Sequence, residues 1–186
     1  MKFELCHLFY TMPEPTVTIK NQIINNYAFI DSQNLYFGMK RLGWSLDYRR
    51  FRVYLREKYC VKKAYMFLGF LPGNDKLYTF LQEAGYTIVF KPVLEIKNGK
   101  TKGNCDAELV LHTMINFLEF DKAIIVSGDG DFHCLVDYLL GKNKLEKVLA
   151  ASNADCSSLL KKVVGQKVGF ISDLQIKLSY KKKNAP

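Results

Sequence analysis

The sequence is poor in the residues that build disulfide frameworks and transition-metal sites. Its five cysteines, Cys6, Cys60, Cys105, Cys134 and Cys156, are scattered and form no C-x-x-C pair. An odd, dispersed set argues against paired disulfides and against a zinc site, and free thiols point to a reducing compartment. The three histidines, His7, His112 and His133, stand apart with no H-x-x-x-H spacing, and read as surface or packing residues. No apolar run approaches the roughly 20 residues that span a bilayer. The chain starts Met1-Lys2-Phe3-Glu4 and has only a short apolar patch near Leu8, followed by Pro13 and Pro15. That is poor material for a signal peptide, so the expectation is a cytoplasmic protein with no membrane partner. No G-x-x-x-x-G-K-[ST] or G-x-G-x-x-G follows a strand, which leaves a nucleotide cofactor without support. Ser127-Gly128-Asp129 lacks the pattern of a nucleophile elbow.

What is present is positive charge and a core. Lysine and arginine number 27 against 18 acidic residues, a formal net charge of +9, which favours a polyanionic partner, nucleic acid first. Hydrophobic residues make up 48% of 186, enough for one domain of ordinary size. Residues 1–25 show no clear period and are expected to be an extension. Residues 26–178 form the domain, and residues 179–186, with Lys181-Lys182-Lys183, a solvated basic tail. No internal repeat is visible, and the oligomeric state is left open, a homo-oligomer included.

Within the domain, apolar runs alternate with amphipathic segments. Tyr27-Ala28-Phe29-Ile30, Ala64 to Leu68, Thr87 to Phe90, Ala123 to Val126, Val148 to Ala151 and Val168 to Ile171 read as buried strands. Between them, Asp47 caps a helix over Tyr48 to Lys58 with Tyr48, Phe51, Tyr54 and Leu55 on one face. Asp75 to Ala84 is a helix closed by Gly85. Leu94 to Asn104 reads as a loop, with Asn104 capping a helix that runs to about Leu118. Phe132 to Leu140, closed by Gly141, and Ser157 to Val164 complete the set. This alternation predicts an α/β fold, a mostly parallel sheet with helices on both faces. Right-handed crossovers make an order of about 3-2-1-4-5 the leading expectation.

In that order the first and fourth strands are neighbours, and a crevice opens at their carboxyl ends. The first strand runs into Asp31-Ser32-Gln33-Asn34, and the fourth into Ser127-Gly128-Asp129-Gly130-Asp131-Phe132. Asp106, in the first turn of the helix before the fourth strand, starts at the same pole, with Glu108 close behind it. Each acid has an ordinary use: Asp31 as a helix cap, Asp106 as a first-turn dipole charge, Asp129 in turn chemistry. Three of them converging on one edge favour a shared cation. Hard oxygen ligands select Mg²⁺ or Mn²⁺, with Asp31, Asp106 and Asp129 as ligands. Such a site can polarise a phosphodiester and activate water. Asp131 is a ligand, a supporting group, or the cap of the helix beginning at Phe132, and Asn34 is neutral and able to position a water or phosphate oxygen. Tyr36, Phe37 and Trp44 are more often core than stacking platforms, but lie where they could stack on a base.

The same residues carry a resemblance. Tyr27 to Leu35, with its D-x-x-N turn, resembles the opening of NYN domains, the LabA-like branch of the PIN-like nuclease superfamily. Lys102-Gly103-Asn104-Cys105-Asp106 is similar to that branch's K-G-x-x-D segment, and Ser127 to Phe132 to its S-G-D-x-D-F segment. The likeness spans about Tyr27 to Leu178. It implies a Rossmann-like, PIN-like three-layer sandwich, a Mg²⁺ or Mn²⁺ site and endoribonuclease activity on RNA. It carries Asp31, Asp106, Asp129 and Asp131 over as metal-site acids, with Asn34 as a polar helper. Asn104-Cys105 departs from the small or apolar residue usual beside the acid, and the first 25 residues match nothing in the branch.

The competing readings are a catalytically weak RNA- or protein-binding module and two other acid-based phosphotransfer folds. A Toprim-like domain wants Glu where Asp31 stands. A haloacid-dehalogenase-like phosphatase wants its D-x-D on the first strand, and here it follows the fourth. For holding RNA, Lys97, Lys100 and Lys102, on the segment leading to Asp106, are preferred over Arg49, Arg50 and Arg52, which point about 100° apart around one helix and cannot all face one ligand.

Overall fold

A computed structural model describes residues 24–92, 94–96, 100–102 and 105–181. At its centre is β1 (Asn26–Asp31), buried along its whole length. It pairs in parallel with β2 (Val61–Phe70) on one side and β6 (Ala123–Val126) on the other. Outward lie β3 (Thr87–Pro92), β7 (Leu145–Ala150) and β8 (Val168–Phe170), giving a six-stranded sheet in the order β3-β2-β1-β6-β7-β8. The order expected from the alternation is therefore realised, with the last short strand added at one edge.

The period-two pattern of β1 sends its side chains alternately to two cores. Ala28 and Ile30 join Ala64, Met66, Ile124 and Val126 beneath α1 (Ser32–Leu42), α2 (Tyr48–Tyr59) and α3 (Asp75–Glu83). Tyr27 and Phe29 join Phe67, Ile125 and Val148 beneath α4 (Asp106–Ile115), α5 (His133–Gly141) and α6 (Ser158–Val164). A short α7 (Gln175–Leu178) seals the first core through the fully buried Leu178. The two helical layers make the three-layer sandwich. Asp47 does cap α2, accepting from the Arg50 amide at 3.1 Å.

Several local expectations are corrected. Leu94 to Asn104 is not all loop. It carries an antiparallel two-stranded ribbon, β4 (Leu94–Ile96) with β5 (Lys100–Lys102). Its three-residue strands are too short for a period-two pattern to register. Helix α4 ends at Ile115 rather than near Leu118. The Asn116 side chain turns back to donate to the His112 carbonyl at 2.7 Å, and Leu118 is left solvent-exposed. The residue at the N-cap of α4 is Cys105, and Asn104 lies outside the described residues. Gly141 is the last residue of α5 rather than its terminator, and the left-handed turn falls instead on Asn143 at φ 53°. The ends of the chain segment are tied in: the Asn25 amide donates to Asp121, and the Tyr180 amide to the Ser45 carbonyl. Residues 1–23 and 182–186, with most of the expected extension and of the lysine tail, lie outside the described residues. No helix among those described is long and apolar enough to cross a membrane.

Candidate active site

Parallel pairing of β1 with β6 brings the two acidic turns side by side at the carboxyl edge of the sheet. Residues Tyr27 to Ile30 run in register with Ala123 to Val126, so both chains leave the sheet at the same level. Asp31 is the N-cap of α1: one carboxylate oxygen accepts from the amides of Gln33 and Asn34 at 3.1 and 3.0 Å. The ordinary capping use is thus real. Its other oxygen accepts from the Ser127 hydroxyl at 3.2 Å, which ties it to the neighbouring turn.

That turn is held by a chain of short-range bonds. The Ser127 hydroxyl accepts from the Asp129 amide at 3.1 Å, and an Asp129 carboxylate oxygen accepts from the Asp131 amide at 3.0 Å, opening a 3₁₀ turn over Gly130–Phe132. Phe132 is buried and anchors it. Asn34 reaches across from α1, its side-chain oxygen accepting from the Gly128 amide at 2.9 Å. Asn34 therefore staples the two acidic turns together. From the far side, the Ser157 amide donates to the Gly128 carbonyl at 2.9 Å. Gly128 and Gly130 lie tight against Asp155 and Ser157, leaving no room for a Cβ without movement.

Asp106, Asp129 and Asp131 each offer a carboxylate oxygen, and these oxygens lie within 4.8 Å of one another. Asp106 and Asp129 are half-buried and Asp131 is exposed. This cluster contains Asp131 and not the Asp31 of the expected trio; Asp31 is buried, with both oxygens hydrogen-bonded. Asp31 is nonetheless close enough to feel the others. Burial pushes its carboxyl above the usual carboxylate range, and the charges of Asp106 and Asp129 push the same way, against the Asn34 amide and Ser127 hydroxyl. Glu108 is drawn aside by Lys91 at 3.2 Å. Among the described residues neither Asp129 nor Asp131 has a lysine or arginine at ion-pair distance. The nearby Cys105 thiol is pushed up to about 11, by burial first and by Glu108 second. The donor set is carboxylate oxygen alone, which fits a hard divalent cation such as Mg²⁺ or Mn²⁺ and not a thiophilic one.

The elevated Asp31 carboxyl has a consequence for stability. The folded chain holds that proton more tightly than the unfolded chain, so the group's contribution is complete at acid pH and is lost as pH rises through its folded value. In the metal-free protein, Asp31→Asn should therefore gain in melting temperature on the wild type as pH is raised from about 4 to 8, a window set by the ordinary carboxylate range. A gap between the two proteins that does not change with pH would show that Asp31 is not held above its ordinary range.

Of the remaining expected residues, Lys100 and Lys102 lie on β5, and Lys97 lies outside the described residues. Tyr36 and Phe37 are exposed on α1, whereas Trp44 packs against the first core. Two features escaped the sequence reading. Ser127 is the hydroxyl that bridges Asp31 to the Asp129 amide, and the loop from Ala151 to Ser157 buttresses the acidic turn. The first stands inside the S-G-D-x-D-F segment. The second has no local signal beyond Ser157 as a helix cap.

The comparisons with known proteins agree with this geometry. A Synechococcus elongatus protein, low amplitude and bright protein LabA, is 29% identical over 124 residues, covering 61% of this chain and 67% of its own. A Vibrio parahaemolyticus crystal structure of a protein of unknown function superposes with a TM-score of 0.70 at 22% identity, covering 86% of this chain and 98% of that one; it speaks for the fold alone. The NYN domain matches residues 27–168, which reaches from β1 to the first residue of β8 and includes every acid described above. The chain belongs to the NYN domain family, within the PIN-like nuclease superfamily.

Proposed function

We propose that the chain is a divalent-metal-dependent endoribonuclease, cleaving RNA phosphodiester bonds at the carboxyl edge of β1 and β6. The observation that carries this is the convergence of the Asp106, Asp129 and Asp131 carboxylates within 4.8 Å, with Asp31 buried behind them. Three acids so close repel one another, and a cation relieves that repulsion. Asp106, Asp129 and Asp131 would hold Mg²⁺ or Mn²⁺, with Asp31 beneath as a further ligand or as the carboxylate that fixes the turns. The ion supplies a Lewis acid for the phosphodiester and an activated water. The protein's own part is to keep the acids in place before substrate arrives: Asp31 through Ser127, Asp129 through the Asp131 amide, and both turns through Asn34. Since the Asn34 oxygen is used on Gly128, its –NH₂ is the group left to steady a phosphate oxygen. Cleavage of single-stranded and structured RNA, with and without Mn²⁺, tests the reading. Binding without metal-dependent cleavage would overturn it in favour of a catalytically weak RNA- or protein-binding module.

The phosphates need partners outside the acidic edge, and the net charge of +9 supports contacts to a polyanion. We assign these to Lys97, Lys100 and Lys102, since the segment that carries them leads into Asp106. Each phosphate contact to a single strand releases counterions worth about 0.7 in the slope of log affinity against log salt. The Lys97→Ala, Lys100→Ala, Lys102→Ala triple variant should then flatten that slope by about 2. An unchanged slope would remove this segment from the RNA path.

A further inference from the structure

Beside the acidic edge lies a cavity of about 440 Å³, between the first turns of α1, the end of β2 and α3. Its size falls in the range of ligand sites, roughly 300–1,000 Å³. Tyr36 and Phe37 form one wall, meeting edge to face at 5.4 Å with an interplanar angle of 65°, and both remain solvent-exposed at 55% and 45%. Leu71 and Leu77 form the opposite wall, and they too are left exposed. Exposed aromatic and aliphatic side chains lining a concavity are a costly arrangement unless something covers them.

The geometry points to a base-binding subsite: we propose that this cavity takes one unpaired nucleobase of a single-stranded RNA whose phosphate lies at the acidic edge. The inference rests on the reading of that edge as an RNA site. Three observations select this occupant. First, the cavity starts where the acids end. Ser32 and Gln33 line it, they follow Asp31 directly, and the Gln33 amide is bonded to the Asp31 carboxylate. A polynucleotide phosphate at the acids therefore brings an adjacent base to the cavity mouth. Second, the walls combine π-faces with unused polar groups. Gln33, Asn74 and Tyr48 also line the cavity, and their side chains make no hydrogen bond among the described residues. Amides and a phenol beside aromatic faces match a base, which stacks on its face and hydrogen-bonds on its edge. Third, the chain's excess of positive charge suits a polyanion better than an apolar or acidic peptide. A paired base cannot enter such a cavity, so the subsite would make the protein prefer single strands to duplex.

The test uses the full chain with Ca²⁺, a hard oxygen-binding cation, in place of Mg²⁺ or Mn²⁺, so that the acids are neutralised while binding is read without cleavage. An octameric oligoadenylate is compared with an octameric abasic ribose-phosphate chain of equal charge by fluorescence anisotropy. The intact octamer should bind about tenfold tighter or more, as stacking of one base on an aromatic side chain gives. Tyr36→Ala should remove that preference while leaving the abasic chain unaffected, and Tyr36→Phe should restore it. Tyr36 is exposed, and matched melting curves confirm that the variants fold. Equal affinity for the two octamers, or equal loss of both in Tyr36→Ala, would overturn the subsite. A duplex long enough to stay paired should bind the wild type and Tyr36→Ala equally, and a duplex that loses affinity in Tyr36→Ala as the intact octamer does would likewise overturn it. Base-dependent binding together with absent Mn²⁺-dependent cleavage would support the subsite and count against the nuclease reading alone.

Discussion

Replacing Asp129 by Asn should lower Mn²⁺-dependent RNA cleavage about a thousandfold, since a metal centre contributes several kcal/mol to the transition state and each 1.36 kcal/mol is a decade in rate. The fold should survive. The Asp129 carboxylate accepts the Asp131 amide at 3.0 Å, and an asparagine side-chain oxygen can still accept it. Removing one of three carboxylates within 4.8 Å of one another also relieves repulsion, so the metal-free variant should melt no lower than the wild type. A second readout separates lost ligation from lost activity. At a hundredfold excess over Kd, a bound ion stabilises by about 2.7 kcal/mol, which is roughly 5–10 °C for a domain of this size. Mn²⁺ should raise the wild-type melting temperature by about that much and the variant's by much less. Wild-type cleavage by Asp129→Asn would remove Asp129 from the site.

Gly128→Ala should destabilise the fold strongly. A Cβ there would collide with the Asp155 carbonyl oxygen and come within 2.9 Å of the Asp155 carbonyl carbon and 3.2 Å of the Cys156 Cα. All three are backbone atoms, so no side chain can swing aside. The loop is also pinned by the Ser157 amide on the Gly128 carbonyl. Overpacking of this kind costs about 3 kcal/mol, a fall of roughly 6–12 °C in melting temperature. Because the displaced residue lies between Ser127 and Asp129, cleavage should fall with it even at temperatures where the variant is folded. A melting temperature within a degree or two of wild type, on the order of normal surface substitutions, would mean that the loop yields freely.

The sheet was legible because its evidence is periodic. Ala123 to Val126 is an unbroken apolar run between polar turns, and its bounds are those of β6. Asp47 before an amphipathic segment announced α2 with its cap. The side of the sheet at which the Asp31 and Asp129 turns lie followed from topology, since parallel strands put their carboxyl ends on one side. What was not legible depends on contacts between segments distant in sequence. The ribbon β4–β5 has strands of three residues, too short for a pattern. The grouping of Asp131 with Asp106 and Asp129 depends on the folded turn, and so does Ser127, a hydroxyl whose importance lies in two bonds that only the folded geometry supplies. The cavity between α1 and α3 could not be read from Tyr36 and Phe37, since exposed and buried aromatics look alike in a sequence.

The central strand has a last consequence, for the order in which the chain folds. β1 is buried along its whole length, yet its two neighbours arrive at very different times during synthesis. β2 follows within the first 70 residues, whereas the bond between Asp31 and Ser127 closes across 96 positions. Long-range parallel pairing of this kind is slow, because a large loop must close before any contact repays it. Until β6 is made, β1 presents an apolar strand with one unpaired edge, the template on which other chains add. Fragments ending before Ala123 should therefore be the aggregation-prone ones, and the acids come together only at the step that removes this hazard.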